Sequence, residues 1–353
     1  PNELIRLARA YGRQVSDFMR ARPQVEPFQP QFRGPYKALE EEKEAINKWI
    51  LKLEDLARNY LEIEQITNTP LSYKYPPEYK TGDLPLDKAA EMVASQERHR
   101  LGLGDGPVPI LRNILEQEVG LRIFYLPLSP SKFSAIYLYD HQLGGCIAVN
   151  SNHPEERRRL SIAHDYGHFL AHRYKQKLHF QETYKRKPPN EQFAEDFAIY
   201  FLMPTSGLTR QVNEIYKKNR QFSPANLCIL ANYYGVSLEA LTLRLEDLRL
   251  IPTGIYAKLK ERGFRVREAQ RQLGLDEVPS NKEIQPVRYQ YLVLEAYEKG
   301  LISEGQLAGF LDVDRLEARM IVEKFNLPDE NTLFENIDHG AESSSERRSG
   351  SDV

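Results

Sequence analysis

The chain has 353 residues with 48 lysines and arginines against 50 aspartates and glutamates, a formal net charge of −2. That length exceeds one small core and predicts two or three compact units, while the balanced charge gives no global sign of nucleic-acid binding. The two cysteines, Cys146 and Cys228, lie outside any C-x-x-C pair, which argues against a disulfide scaffold or a cysteine-based zinc site. Without a long apolar run or a signal-peptide pattern, the expected compartment is the cytoplasm, with no membrane association.

Residues 1–20 carry two helical pieces broken at Tyr11-Gly12 and read as the end of a larger unit; 21–35, with its prolines, is a linker. A long helix is predicted over 36–68, where Ile46, Trp49, Leu53, Leu56, Tyr60 and Ile63 recur at spacings of three and four. That seam fits a dimeric coiled coil, hence a homodimer, but Ile50 and Leu61 widen it toward a helix packed on its own domain. Both readings stand at this point. A second linker, 69–85, is rich in tyrosine and proline, and helices follow over 86–102 and 109–118.

Short strand-like runs at 121–126, 134–139 and 146–150, separated by turn signals, predict a small antiparallel sheet. A helix starts at His153-Pro154-Glu155-Glu156 and runs to about 174, burying Leu160, Ala163, Gly167 and Leu170. Pro188-Pro189-Asn190 begins the next, through Phe193, Ala194, Phe197, Ala198 and Phe201, with its stop near Pro204. Around these helices gather Arg157, Arg158, Arg159, Arg173, Lys175, Lys177, Lys185, Arg186 and Lys187. Such a cluster reads first as a solvated face and otherwise as a surface for an acidic polypeptide.

Residues 208–252 form a helical extension, in which Leu227, Leu230, Ala231, Tyr234 and Gly235 echo Leu4, Leu7, Ala8, Tyr11 and Gly12. The span 253–328 is a C-terminal helical domain whose turn at Asp312-Val313-Asp314 makes a helix-turn-helix-like unit. Arg315 and Arg319 are thin evidence for a DNA-reading helix, so a structural helical pair is favoured. The serine-rich, charged tail 329–353 is expected to be disordered. The fold class is therefore α+β, mainly helical, with a small antiparallel sheet flanked by helical regions.

The chemistry concentrates in His164-Asp165-Tyr166-Gly167-His168. Histidines four apart sit about 6 Å along a helix on nearly one face, so both can reach one metal. A catalytic zinc takes three protein ligands and keeps a fourth position open. The metzincin position for a third histidine is Tyr174, which excludes that arrangement. His172 would crowd the same helix edge and is read as a surface or supporting residue. A carboxylate from the next helix is the better candidate: Glu191 as ligand, with Glu195 one turn on to accept the second ring N–H of a ligand histidine. The residue after the first histidine of an H-E-x-x-H site is normally the glutamate general base; here it is Asp165, one methylene shorter.

In order along the chain stand Ile147-Ala148-Val149-Asn150, then Leu160-Ser161-Ile162-Ala163 before the histidine motif, then Glu191-x-x-Ala194-x-x-Phe197-Ala198-x-x-x-Leu202-Met203-Pro204. With Val236-Ser237-Leu238-Glu239-Ala240-Leu241 beyond, this pattern resembles the ImmA/IrrE zinc metallopeptidases over roughly 86–250. The resemblance implies a zincin-like metallopeptidase domain, 86–207, in which His164, His168 and Glu191 bind Zn2+ and Asp165 polarises the attacking water. It implies a protein substrate, a helix-turn-helix repressor, and a role in stress-response or mobile-element regulation. The expected substrate strand is Cys146, Ile147, Ala148, Val149 and Asn150, taken as an exposed sheet edge open to strand addition. Residues 1–20 resemble the end of an XRE-type DNA-binding domain, so DNA binding is expected of a longer protein through a recognition helix upstream of Pro1. The competing expectation is a sensor or defence-system module that holds zinc without turnover.

Overall fold

The structure, a computed structural model, describes residues 3–6, 15, 40–80, 82, 84–174, 177–180, 187–275, 278 and 283–325. Apart from 3–6, which are helical, and residue 15, the XRE-like segment falls outside this set, as does the expected disordered tail. The chain divides into two compact units, 1–287 and 288–353. The helices at 255–272 thus belong with the first unit, whereas the sequence placed a domain start at 253.

The first unit is built on a four-stranded sheet of β1 (Arg122–Leu126), β2 (Phe133–Asp140), β3 (Gly144–Asn150) and β4 (Lys177–Phe180), in the order β1-β3-β2-β4. The sheet is mixed, not antiparallel as expected: β1 runs parallel to β3, and β2 is antiparallel to both β3 and β4. The tight hairpin lies between β2 and β3. Asp140 Oδ1 accepts the N–H groups of Gln142 and Leu143 at 2.7 and 2.9 Å, and Gly144 takes φ +70°, a conformation that favours glycine. That hairpin returns β3 alongside β1 in the same direction.

A second expectation fails with the first. The strand containing Cys146, Ile147, Ala148, Val149 and Asn150 is central, paired with β1 on one side and β2 on the other. Its backbone groups are engaged in both ladders, so it offers no edge to a peptide. The outer side of β1 is also covered, since Tyr125 N–H donates to Ile284 O at 3.0 Å. Arg112 supports that contact by donating to Glu283 O and Ile284 O at 2.9 and 2.8 Å.

Both sheet faces are buried, which is why β1 and β3 are apolar without clean alternation. One face, with Ile123, Tyr125, Tyr137, Ile147 and Val149, joins the main core. The other meets α1 (Glu40–Ile66), whose Tyr60 ring stands edge-on to Phe124 at 6.5 Å. Helix α1 buries Ile46, Ile50, Leu53, Leu56, Tyr60 and Ile63. Tyr60 O–H donates to Glu116 at 2.7 Å, and Glu64 pairs with Arg122 at 2.7 Å. Of the two readings of its seam, packing on its own domain describes these contacts. The tyrosine-rich segment after it is irregular but tied down: Lys74 N–H donates to Val119 O and Tyr79 N–H to Leu170 O.

Against the main face packs α4 (Glu155–His172); α5 (Pro189–Leu202) packs on α4, α2 (Leu86–Arg100) on α5, and a short turn α3 (Leu111–Ile114), which continues as a π-helical turn to Val119, on α4. Further along come α6 (Thr205–Asn219), α7 (Pro224–Tyr234), α8 (Leu238–Asp247), α9 (Ile255–Glu261) and α10 (Val266–Gln272). Helices α7 and α8 flank a bend at Tyr234-Gly235, the pair that echoes the break at Tyr11-Gly12, with Gly235 at φ +63° ending α7 and Ser237 capping α8.

The second unit holds α11 (Val287–Glu298, its first residue the last of unit one), α12 (Glu304–Leu311) and α13 (Arg315–Phe325). Ser303 and Gln306 form a capping box for α12, and Asp312 ends it at φ +59°. Arg319 is held by Glu304 at 3.0 Å, so this cation of the helix-turn-helix-like unit is already paired within the fold. Among the described residues no helix is long and apolar enough to cross a membrane.

Candidate metal centre

Helices α4 and α5 bring the three expected ligands together. His164 and His168 lie one turn apart on α4, with ring centroids 4.8 Å apart. Glu191 lies in the first turn of α5, which opens with proline at its first position. Its Oε2 stands 3.4 Å from Nε2 of His164 and 3.4 Å from Nε2 of His168. For ligand bonds of ~2.05 Å at the tetrahedral angle, neighbouring ligand atoms are separated by ~3.3 Å. The observed spacing is therefore that of two edges of a zinc coordination tetrahedron. Ligand atoms of all three residues lie within 4.8 Å of one another, and the donor set of two imidazoles and one carboxylate suits zinc.

Burial tends to raise the Glu191 pKa, but hydrogen bonding to His164 and His168 outweighs it and holds the carboxyl well below the usual carboxylate range. Its other oxygen is oriented by Asn190, whose Nδ2 donates to Oε1 at 3.0 Å. Asn190 entered the sequence reading only as part of a helix start. Its position beside Glu191 is the signal that could have marked it.

Asp165 points away from solvent altogether. It is completely buried, and neither carboxylate oxygen has a hydrogen-bond partner among the described residues. Burial, reinforced by the nearby negative charge of Glu191, pushes its carboxyl well above the usual range. A buried carboxyl without a donor is costly. The fit to a bound zinc rests on the spacing and donor set of His164, His168 and Glu191, with this buried carboxyl close enough to feel the Glu191 charge.

Glu195 does not stand behind a histidine. It forms an ion pair with Lys187, which draws its carboxylate outward, and remains half-exposed. His172 packs its ring 6.0 Å from His168 and 6.2 Å from Phe193, which fits a supporting residue. Cys146, Ile147, Ala148, Val149 and Asn150 sit in the buried central strand; Asn150 Nδ2 bonds Leu128 O and Phe133 O at 3.1 and 2.7 Å and has a structural role.

Several features of this scaffold escaped the sequence reading. Tyr166, inside the histidine motif, donates to Glu97 of α2, and Arg100 reaches both groups, 2.7 Å from Glu97 and 3.0 Å from the Tyr166 hydroxyl. These buried bonds brace the metal helix from behind. Nor are the arginines beside the motif a solvated face. Arg158, Arg159 and Arg173 are buried; Arg159 donates to Gly235 O at 3.1 Å, and Arg173 to Pro76 O at 2.5 Å. A guanidinium can serve several backbone carbonyls at once, a use that composition alone does not reveal.

No curated protein matches this chain. Residues 116–246, from the π-helical turn to α8 and including all three cluster residues and Asp165, match the model of the IrrE N-terminal-like domain, Peptidase_M78. By this match the region is similar to a metallopeptidase-like domain of the IrrE type.

Proposed function

We propose that this chain is a regulatory zinc metallopeptidase and that its substrate is a helix-turn-helix repressor. The observation that carries the reading is the single oxygen of Glu191 set 3.4 Å from both histidine Nε2 atoms, beside a buried carboxyl with no donor. His164, His168 and Glu191 hold the metal, and Asn190 fixes the face that Glu191 presents. Zinc, when bound, supplies a Lewis acid that polarises the scissile carbonyl and activates water near neutral pH. Asp165 takes a proton from the attacking water and returns it to the leaving amine.

The substrate strand is reassigned to β4. It ends the sheet order and contacts α4, the helix that carries the histidines. An extended peptide added there would be held by main-chain hydrogen bonds, with side-chain pockets supplying selectivity.

A second reading, a zinc-holding sensor or defence module without turnover, draws on the complete burial of Asp165 and on its side chain being one methylene shorter than glutamate. Misplacement by about 1 Å can reduce a rate on the order of 100-fold. Coexpression with candidate repressors, read by mass spectrometry of their fragments, separates the two. Cleavage lost in Asp165→Ala with zinc content unchanged supports the peptidase. Fragments that persist in Asp165→Ala remove Asp165 as the base, and no cleavage in either the native chain or Asp165→Glu leaves the sensor.

A further inference from the structure

A cleft of about 290 Å³ opens between the end of α6, the start of α7, the 251–252 turn and α9. Tyr216 and Phe222 form one wall, their rings 5.8 Å apart, and the buried side chains of Leu227 and Ile251 lie behind them. The opposite wall is α9 and the residue that caps its end: α9 contributes Leu259 and Lys258, and Arg262, four residues after Lys258, follows its last turn. Residues four apart share a helix face, so both cations border the same apolar space.

The lining includes these two cations and no carboxylate. Neither the Lys258 nor the Arg262 side chain has a hydrogen-bond or ion-pair partner among the described residues. Two other surface arginines of the unit, Arg210 and Arg267, are engaged, with Asp105 at 2.5 Å and with Glu156 at 3.0 Å. The cleft volume is close to the ~300 Å³ lower end of small-molecule sites, which suits a compact ligand and not a folded partner. An apolar floor bordered by unpaired positive charge is complementary to a ligand with an aliphatic body and an anionic head.

The head group can be narrowed further. The N–H groups of Gly254, Ile255 and Tyr256 at the start of α9 are already taken by the Glu246 carboxylate, at 3.0, 2.9 and 3.3 Å. They are unavailable to form the backbone cradle on which phosphate sites commonly rely. What remains is side-chain charge, with a guanidinium whose planar fork matches a carboxylate. None of the lining residues belongs to the His164, His168 and Glu191 cluster, so this site is distinct from the metal centre.

We propose that this cleft binds a medium-chain aliphatic carboxylate, its tail against Phe222, Leu227 and Ile251 and its head between Lys258 and Arg262. The test is isothermal titration of the full chain with decanoate, below micelle-forming concentrations, alongside 1-decanol, acetate and decyl phosphate. Saturable binding of decanoate at least ten-fold tighter than of 1-decanol or acetate is expected. The double variant Lys258→Glu, Arg262→Glu should weaken it by at least ten-fold with an unchanged melting temperature. Equal binding of 1-decanol, or an unaffected double variant, would overturn the site. Tighter binding of decyl phosphate than decanoate would overturn the assignment of a carboxylate. If the double variant melts early, Lys258→Gln and Arg262→Gln are measured singly, and full decanoate affinity in both overturns the proposal.

Discussion

Gly167 on α4 rests against Ala194 on α5 so closely that a Cβ on the glycine would lie 3.2 Å from the Ala194 Cα and 3.0 Å from the Phe197 ring. Glycine in a helix interior is less favourable than alanine by about 1 kcal/mol. Its presence between two metal-ligating candidates, directly before His168, therefore has a packing reason. It lets α5 approach until Glu191 reaches both histidines.

Gly167→Val should separate the two helices. Overpacking of this kind costs about 1–3 kcal/mol, measurable as a lower urea midpoint with an unchanged m-value. Zinc affinity, read by competition with a chromogenic chelator, should fall as Glu191 recedes. Native zinc affinity together with native stability would refute this account of the glycine.

The pairing of Glu64 with Arg122 predicts a different kind of loss. Both residues are buried, and the guanidinium also donates to Tyr73 O–H at 2.9 Å and Leu143 O at 2.5 Å. Burial tends to lower the Arg122 pKa, but Glu64 reverses that and holds it above its ordinary value. Glu64→Ala leaves a buried cation without its counterion, which costs about 3–5 kcal/mol. Because this pair joins α1 to the sheet face opposite the metal helices, unfolding should shift while zinc stoichiometry in the folded fraction stays at one. A destabilisation below about 1 kcal/mol would show that Arg122 is satisfied by its carbonyl and hydroxyl partners alone.

The histidine spacing and the small residues on α4 and α5 made the site readable from local pattern, since helical period alone decides which residues share a face. Glu191 was reachable by the same logic. Sheet topology was not, because the runs at 122–126 and 144–150 read alike whether neighbours are parallel or antiparallel, and both faces proved buried. The edge assignment for Cys146 to Asn150 failed for that reason. Glu195 failed for another: helical spacing places it on a face, but the ion pair with Lys187 from the preceding loop decides where its carboxylate goes. The buried arginines depend on contacts between distant segments, such as Arg159 with Gly235, which no local pattern encodes.

Asn190 and Glu195 give a paired test of what supports Glu191. Residues that orient a metal ligand typically account for about 10–100-fold in affinity. Asn190→Ala should weaken zinc binding within that range, because the Oε1 of Glu191 loses its donor. Glu195→Ala should leave zinc affinity within about two-fold of native, since its partner is Lys187 and an exposed ion pair contributes about 0–1 kcal/mol. The reverse ranking would restore Glu195 as the supporting residue and remove Asn190.

Cys146 makes the stability of the first unit depend on alkaline pH. Burial pushes its thiol up to about 12, against the opposing pull of Arg122, whereas an exposed thiol titrates near ~8.5. Above that lower value the unfolded chain releases a proton that the folded chain retains, so the unfolded state binds fewer protons and unfolding free energy falls as pH rises. One such group contributes a slope of up to about 1.4 kcal/mol per pH unit. Between about pH 9 and 10 the buried tyrosines, among them Tyr75, Tyr137 and Tyr166, and Cys228 add to the same decline, so the Cys146 share is read as the difference between the native chain and Cys146→Ala. Urea denaturation across that window should show the decline in the native chain and a flatter profile in Cys146→Ala. The native thiol should also resist iodoacetamide at pH 8 until urea unfolds the chain; rapid alkylation of the folded protein would show that the thiol is open to solvent and dispose of both expectations.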